Sequence, residues 1–225
     1  MKTSGLRAGN REGVPPAISD NHPVPESAQT RNVTLAVTGA SGSIYAAEFL
    51  RAAVQDDRIT KINLVVSENA LRVLAEELHF SGRHDLVEKL LGAPSPKIKQ
   101  HAETDIGANI ASGSYPTAAM IILPCSMGTL AHIANGLADN LIHRAADVCL
   151  KENRPLILCV RETPFNRIHL RNMQLASDAG AIIFPAIPTL YNHPQTTEDM
   201  ARNFVHRVFA HIGLPQPNAY QWQPD

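Results

Sequence analysis

The sequence predicts a doubly wound α/β domain, a parallel sheet with helices on both faces. Three observations carry that expectation. Short β-branched runs recur from Val33 onward, a longer helical pattern follows most of them, and the runs are apolar throughout rather than alternating, as strands buried on both faces must be. Parallel neighbours need a crossover, and the crossover that suits a twisted sheet is a right-handed helix. In this class ligands sit beyond the carboxyl ends of strands, near a reversal of strand order, so the loops after strands are where chemistry is expected.

Residues 1–32 hold four prolines and three glycines with only scattered aliphatics. Such a segment buries too little apolar surface to offset its ordering entropy. A flexible tail over 1–32 and one folded domain over 33–225 are the expected division. VTLAVT (33–38) reads as the first strand, ending at Gly39-Ala40-Ser41-Gly42, with an Ala-rich helix from Ile44 to Val54. KINLVV (61–66) is the second strand, followed by a helix from near Asn69 with Leu71, Leu74, Ala75 and Leu78 on one face. Residues 81–117 show a short helical pattern (Leu86, Leu90) and the Gly/Ser/Pro-rich stretch ASGSYP (111–116), with no strand legible. AAMIILP (118–124), LILCV (156–160) and AIIF (181–184) are three more strands; helical patterns cover 126–136, 140–152, 168–179 and 198–212.

Composition removes several functions. With 20 Lys+Arg against 21 Asp+Glu, the chain lacks the basic footprint of a protein that follows a nucleic acid backbone. No window reaches the roughly 18 to 20 apolar residues that cross a bilayer. The first residues, MKTSGLRAGNREG, lack the apolar core of a secretory signal, and Glu12, Asp20 and Glu26 do not suit a transit peptide. Cys125, Cys149 and Cys159 are odd in number and widely spaced, neither a disulfide framework nor a zinc pattern. A cytoplasmic protein is expected. The ten histidines show no local ligand spacing, and no metal is expected.

Thr38-Gly39-Ala40-Ser41-Gly42-Ser43 opens a helix with small residues and hydroxyls, suited to a phosphate or a flavin edge; a tight turn capped by Ser41 or Ser43 is the competing reading. Ser126, Met127, Gly128 and Thr129 repeat the theme after the third strand. Cys125 beside them reads as a packed hydrophobe rather than a nucleophile, because no histidine stands in local register to activate it. Arg144 and Lys151 lie two helical turns apart, with Asp147 between them as an alternative ion-pair partner. Arg161-Glu162 follows LILCV directly, and a charged pair at a strand's carboxyl end favours a site. From Arg144 to Arg207 there are eight Lys/Arg against six Asp/Glu, a modest excess that suits a small phosphorylated ligand.

TGASGSIYA (38–46), PCSMGTLAHIANGLADNLIHRAADVCLKENRPLILCVRETP (124–164), IHLRNM (168–173) and PTLYNHPQ (188–195) together resemble the flavin prenyltransferase (UbiX-like) family, over about Val33 to Trp222. The resemblance implies a Rossmann-like, flavoprotein-type fold. It implies transfer of the dimethylallyl group of dimethylallyl phosphate to N5 and C6 of reduced FMN. The product, prenylated FMN, serves UbiD-type decarboxylases. Also implied is a homo-oligomer, a dodecamer of trimers with sites at subunit junctions. Carried onto this chain, the family's FMN-contacting positions are Gly39, Ala40, Ser41, Ser67, Ser126, Met127, Gly128, Thr129 and Arg161. Its dimethylallyl phosphate pocket matches Lys151, Arg161, Tyr191 and Arg207, with Arg144 at the phosphate end. Glu77 matches a carboxylate beside the isoprenoid and Glu162 one near the phosphate; with Ser41 and Lys151 they form the implied catalytic set. Ile106 and the Pro-Thr-Leu-Tyr segment (188–191) depart from some relatives at the isoprenoid pocket. Two alternatives stand: an FMN-dependent cysteine decarboxylase, whose catalytic histidine could only be His101 here, and a non-catalytic flavin-carrying decarboxylase subunit.

Overall fold

The computed structural model describes residues 31–79 and 82–221. The expected tail therefore lies outside the described residues, except that Arg31 and Asn32 already belong to the first strand. Six strands form one parallel sheet in the order β3-β2-β1-β4-β5-β6. They are β1 (Arg31–Val37), β2 (Ile59–Val66), β3 (Ile98–His101), β4 (Ala119–Cys125), β5 (Leu156–Val160) and β6 (Ile182–Ile183). The helices are α1 (Ser43–Gln55), α2 (Glu68–Leu78), α3 (Leu86–Leu91), α4 (Met127–Ala134), α5 (Leu141–Lys151), α6 (Arg167–Asp178) and α7 (Thr197–His211), with a 3-10 turn at Asn109–Ala111.

The apolar runs divide their side chains between two cores, which is why they lack alternation. Val33, Leu35 and Val37 face α1, α2, α3 and α7, while Ala36, Met120, Ile122 and Leu158 face the layer holding α4, α5 and α6. Phe49 of α1 stacks on Phe209 of α7 with ring centroids 4.7 Å apart, pinning these helices together over the first core. Burying two such rings contributes roughly 2 to 3 kcal/mol each.

Five strands fall where the sequence places them. The sixth, β3, lies in the stretch with no legible strand: IKQH is four residues long, sits at the sheet edge and carries three polar side chains. β6 is regular for two residues, yet sheet-like bonds continue from the Phe184 amide to the Leu158 carbonyl and from the Ala186 amide to the Val160 carbonyl, both 2.9 Å.

Candidate functional site at the carboxyl edge of the sheet

The reversal of strand order falls between β1 and β4, and the loops leaving these strands are tied together. The Ser126 amide donates to Thr38 Oγ1 at 2.8 Å, and that hydroxyl donates to the Pro124 carbonyl at 2.8 Å. Thr38 is buried, so its hydroxyl fixes the spacing of the two loops from beneath.

Small residues in the Thr38–Ser43 loop serve close packing. A Cβ on Gly39 would stand 2.6 Å from Asn69 Cβ at the start of α2, and Gly42, with φ of +121°, holds a backbone conformation side chains rarely adopt. Gly42 is the N-cap of α1 and has no side-chain cap of its own. The cap comes from α2 instead: Glu77 accepts from the Gly42 amide at 3.0 and 3.1 Å and from the Ser43 amide at 2.7 Å. An anion is stabilised there by the unpaired amides and the helix dipole. Burial alone would push this carboxyl up, but hydrogen bonds from Ser41, Ser43 and Gly42 hold it below the usual carboxylate range. Thus the anion at this helix end is internal, and neither Ser41 nor Ser43 is the N-cap the competing reading had in view.

Ser67 and Ser126 are N-caps. Ser67 ends β2 and accepts from the Ala70 amide at 3.1 Å. Ser126 accepts from the Thr129 amide at 3.3 Å, and its hydroxyl donates to Thr129 Oγ1 at 3.1 Å. Met127, Gly128 and Thr129 form the first turn of α4, and a Cβ on Gly128 would meet nothing within 4 Å. The helix N-terminus therefore opens at Gly128, with the Ser126 hydroxyl bonded to the buried Thr129 beside it. Cys125 beneath them is fully buried, and burial pushes its thiol up to about 12; it packs, as the sequence indicated.

Arg161 leaves β5 at the same edge, its amide donating to the Cys125 carbonyl at 3.1 Å. Its side chain is exposed, as is that of Glu162, which accepts from the Thr163 amide at 2.9 Å. Burial raises the Tyr45 hydroxyl, and the field of Arg161 opposes that rise. Tyr45 lies in the first turn of α1, with its ring 4.9 Å from that of Phe204. Sequence reasoning gave Tyr45 no role and counted Thr38 only among the loop's hydroxyls; the signal for Tyr45 was an aromatic just after the glycine loop. Tyr191, on the segment after β6, is exposed with its ring 5.2 Å from that of Tyr220.

The remaining cations lie elsewhere. Lys151 ends α5 at the amino edge of the sheet, paired with Glu152 and packed over Gly113. Arg154 in the same turn bonds the carbonyls of Gly113 and Tyr115 at 2.6 and 2.8 Å. All five residues of β5 separate Lys151 from Arg161, about 16 Å at the rise of a strand. Arg144 pairs with Asp147 at 2.6 Å and donates to the Ala111 carbonyl at 3.3 Å, so the ion-pair alternative is realised. Arg207 is exposed on α7, across the sheet from α5. One chain thus assembles Gly39, Ala40, Ser41, Ser67, Glu77, Ser126 to Thr129, Arg161 and Glu162 at one edge and leaves Arg144, Lys151 and Arg207 outside it.

Two further histidine environments bear on chemistry. His101 is buried on β3 with Nε2 3.1 Å from Asn63 Oδ1, and β2 and β1 stand between its strand and β4. His132, Asp139 and His143, seven and four positions apart in sequence, are gathered by the turn between α4 and α5. Burial, then the neighbouring His132, pushes the His143 imidazole down to about 4.

Among the described residues no helix is long and apolar enough to cross a membrane. The family model described as Flavoprotein matches residues 21–204. Flavin prenyltransferase UbiX of Salmonella typhimurium is 43% identical over 195 residues, covering 86% of this chain and 98% of that protein. A crystal structure of AnUbiX (PadA1) in complex with FMN and dimethylallyl pyrophosphate superposes with a TM-score of 0.78 at 35% identity, covering 87% of this chain and 99% of that one. The dodecameric FMN-dependent UbiX-like decarboxylase of Escherichia coli O157:H7 gives 0.77 at 39% identity, covering 86% of this chain and all of the other. With a parallel sheet reversing at β1 and β4, hydroxyl-rich loops along its carboxyl edge and likeness over nearly the whole length of these proteins, the chain belongs to the flavin prenyltransferase family of flavoproteins.

Proposed function

We propose that this chain transfers the dimethylallyl group of dimethylallyl phosphate to N5 and C6 of reduced FMN, in the cytoplasm, and that the prenylated FMN passes to a UbiD-type decarboxylase. The observation that carries the reading is the carboxyl edge of the sheet, where the α4 N-terminus opens at Gly128 and the Arg161 amide is bonded to the Cys125 carbonyl just before it. That donor set fits FMN, whose phosphate and ring edges accept hydrogen bonds. Three buried, unpaired thiols support a reducing compartment.

Reduced FMN supplies the nucleophilic nitrogen and carbon. The chain supplies the rest. Gly39, Ala40, Ser41, Ser67 and Ser126 to Thr129 hold the flavin. Arg161, joined by Lys151, Arg144, Arg207 and Tyr191, binds the phosphate and stabilises the charge that grows on it as the allylic C–O bond breaks. These cations take that charge without a metal. Ser41 donates to Glu77, which is held ionised, so Glu77 orients the Ser41 hydroxyl. The departing phosphate or Glu162, which follows Arg161, takes the proton lost on ring closure in this reading.

Arg161 and Lys151 stand at opposite ends of β5, so a phosphate bound by both must lie between subunits. The dodecameric relative supports that arrangement, and a homo-oligomer is part of the proposal. A cysteine decarboxylase is disfavoured because His101 is spent in a buried bond to Asn63, remote from β4. The test is anaerobic incubation of the protein with reduced FMN and either dimethylallyl phosphate or its pyrophosphate, followed by the mass of the extracted flavin. Gain of one five-carbon unit is expected. An unchanged flavin with both would overturn the proposal and leave a flavin carrier.

A further inference from the structure

We propose that His132, Asp139 and His143 form a binding site for one divalent transition-metal ion of the zinc class, on the α4–α5 hairpin and apart from the reacting centre. Two imidazoles and a carboxylate are borderline ligands of the kind that zinc, cobalt and nickel prefer. One ligand atom from each lies within 4.8 Å of the others. Ligands of a tetrahedral ion stand about 3.3 Å apart, so the set must close by about 1.5 Å. Asp139 is exposed in the turn and can swing inward. The two rings stack at 4.4 Å and 14°, and must turn edge-on to share an ion.

Two observations point to a cation beyond the clustering itself. His132 Nδ1 lies 2.8 Å from the Gly128 carbonyl. A carbonyl only accepts, so Nδ1 carries the proton and Nε2 of the neutral ring presents a lone pair. Yet Nε2 faces Asp139 Oδ2 at 3.1 Å. Two acceptors in contact need a cation between them, a second proton or a metal ion. A backbone carbonyl on the far ring nitrogen is also the arrangement that orients metal-bound histidines. The second observation is His143, only 6% exposed, whose Nδ1 is buried with no hydrogen-bond partner. An unpaired buried ring nitrogen is costly, and coordination would satisfy it. Because His132 hangs from Gly128, an ion here would also tie the first turn of α4 to the start of α5.

The full chain, stripped with a chelator, is titrated with Zn²⁺ alone and with Co²⁺ as a visible-absorption probe. The expected result is one ion per chain with low-symmetry Co²⁺ bands, and affinity reduced about tenfold or more in Asp139→Asn and His132→Gln. Both side chains are at least partly exposed, so neither change threatens the fold. His84→Gln, in a surface pair with Asp85, should bind as the parent does. Failure to bind one ion per chain, or binding unchanged in both Asp139→Asn and His132→Gln, would overturn the site and leave an imidazolium–carboxylate pair.

Discussion

Glu77 shows how one side chain can shape a loop that is distant in sequence. It satisfies two amides that α1 would otherwise leave bare, so Glu77→Ala should lower unfolding stability by about 1 to 3 kcal/mol, read by urea denaturation at neutral pH. The pH dependence has a definite sign. The folded carboxyl is held below its ordinary value, so its contribution is complete above the usual carboxylate range and disappears as pH falls through the lowered value. Glu77→Gln should therefore show a flatter acid limb than the parent, and equal acid slopes would remove Glu77 from this role. Little of this was legible beforehand. The loop's glycines and hydroxyls marked a site, but nothing in TGASGS announces a carboxylate 35 positions on, because capping at this range depends on how α2 packs beside α1.

At the scale of elements, the packing of α1 on α7 and the loop before α1 carry separate predictions. Phe49→Ala removes one of two stacked, fully buried rings and should cost about 3 to 5 kcal/mol in denaturant unfolding. Gly42→Ala is a smaller chemical change with a local consequence: the added Cβ would stand 3.0 Å from the Tyr45 ring at a φ of +121°. That should displace the Tyr45 ring beside the glycine loop and weaken flavin retention, measured by fluorescence titration, more than it lowers stability. Strands were legible where burial on both faces makes them apolar throughout. β3 was not, since an edge strand of four residues needs neither apolarity nor length. The helices were legible to within two residues or so because their apolar stripes follow the helical period.

For the whole molecule, the decisive feature is the scattering of cations that look like one group in sequence. Lys151 and Arg161 are ten positions apart, and the pattern could not reveal that a complete strand runs between them. If the proposed phosphate site draws Lys151 from one subunit and Arg161 from another, inactive Lys151→Ala and Arg161→Ala chains should rescue one another. When co-expressed in equal amounts and randomly assembled, roughly a quarter of sites would hold both native residues. Prenylation should then return to about that fraction of the parent rate. No recovery, in assemblies verified as mixed, would place both residues in one subunit's site. On that proposal a near-neutral chain can still present a cationic pocket, because the pocket would be an attribute of the assembly.

The buried thiols have a consequence for an enzyme proposed to handle an allylic electrophile. Alkylating agents react with sulfur as the thiolate, and Cys125 lies directly beneath the loop that would face the reacting carbon. With Cys125 and Cys149 pushed up to about 12 and Cys159 well above its ordinary value, only about one thiol in 10⁵ of the first two is ionised at neutral pH. The protein therefore offers a reactive carbon almost no thiolate of its own, and its cysteines are shielded from alkylation.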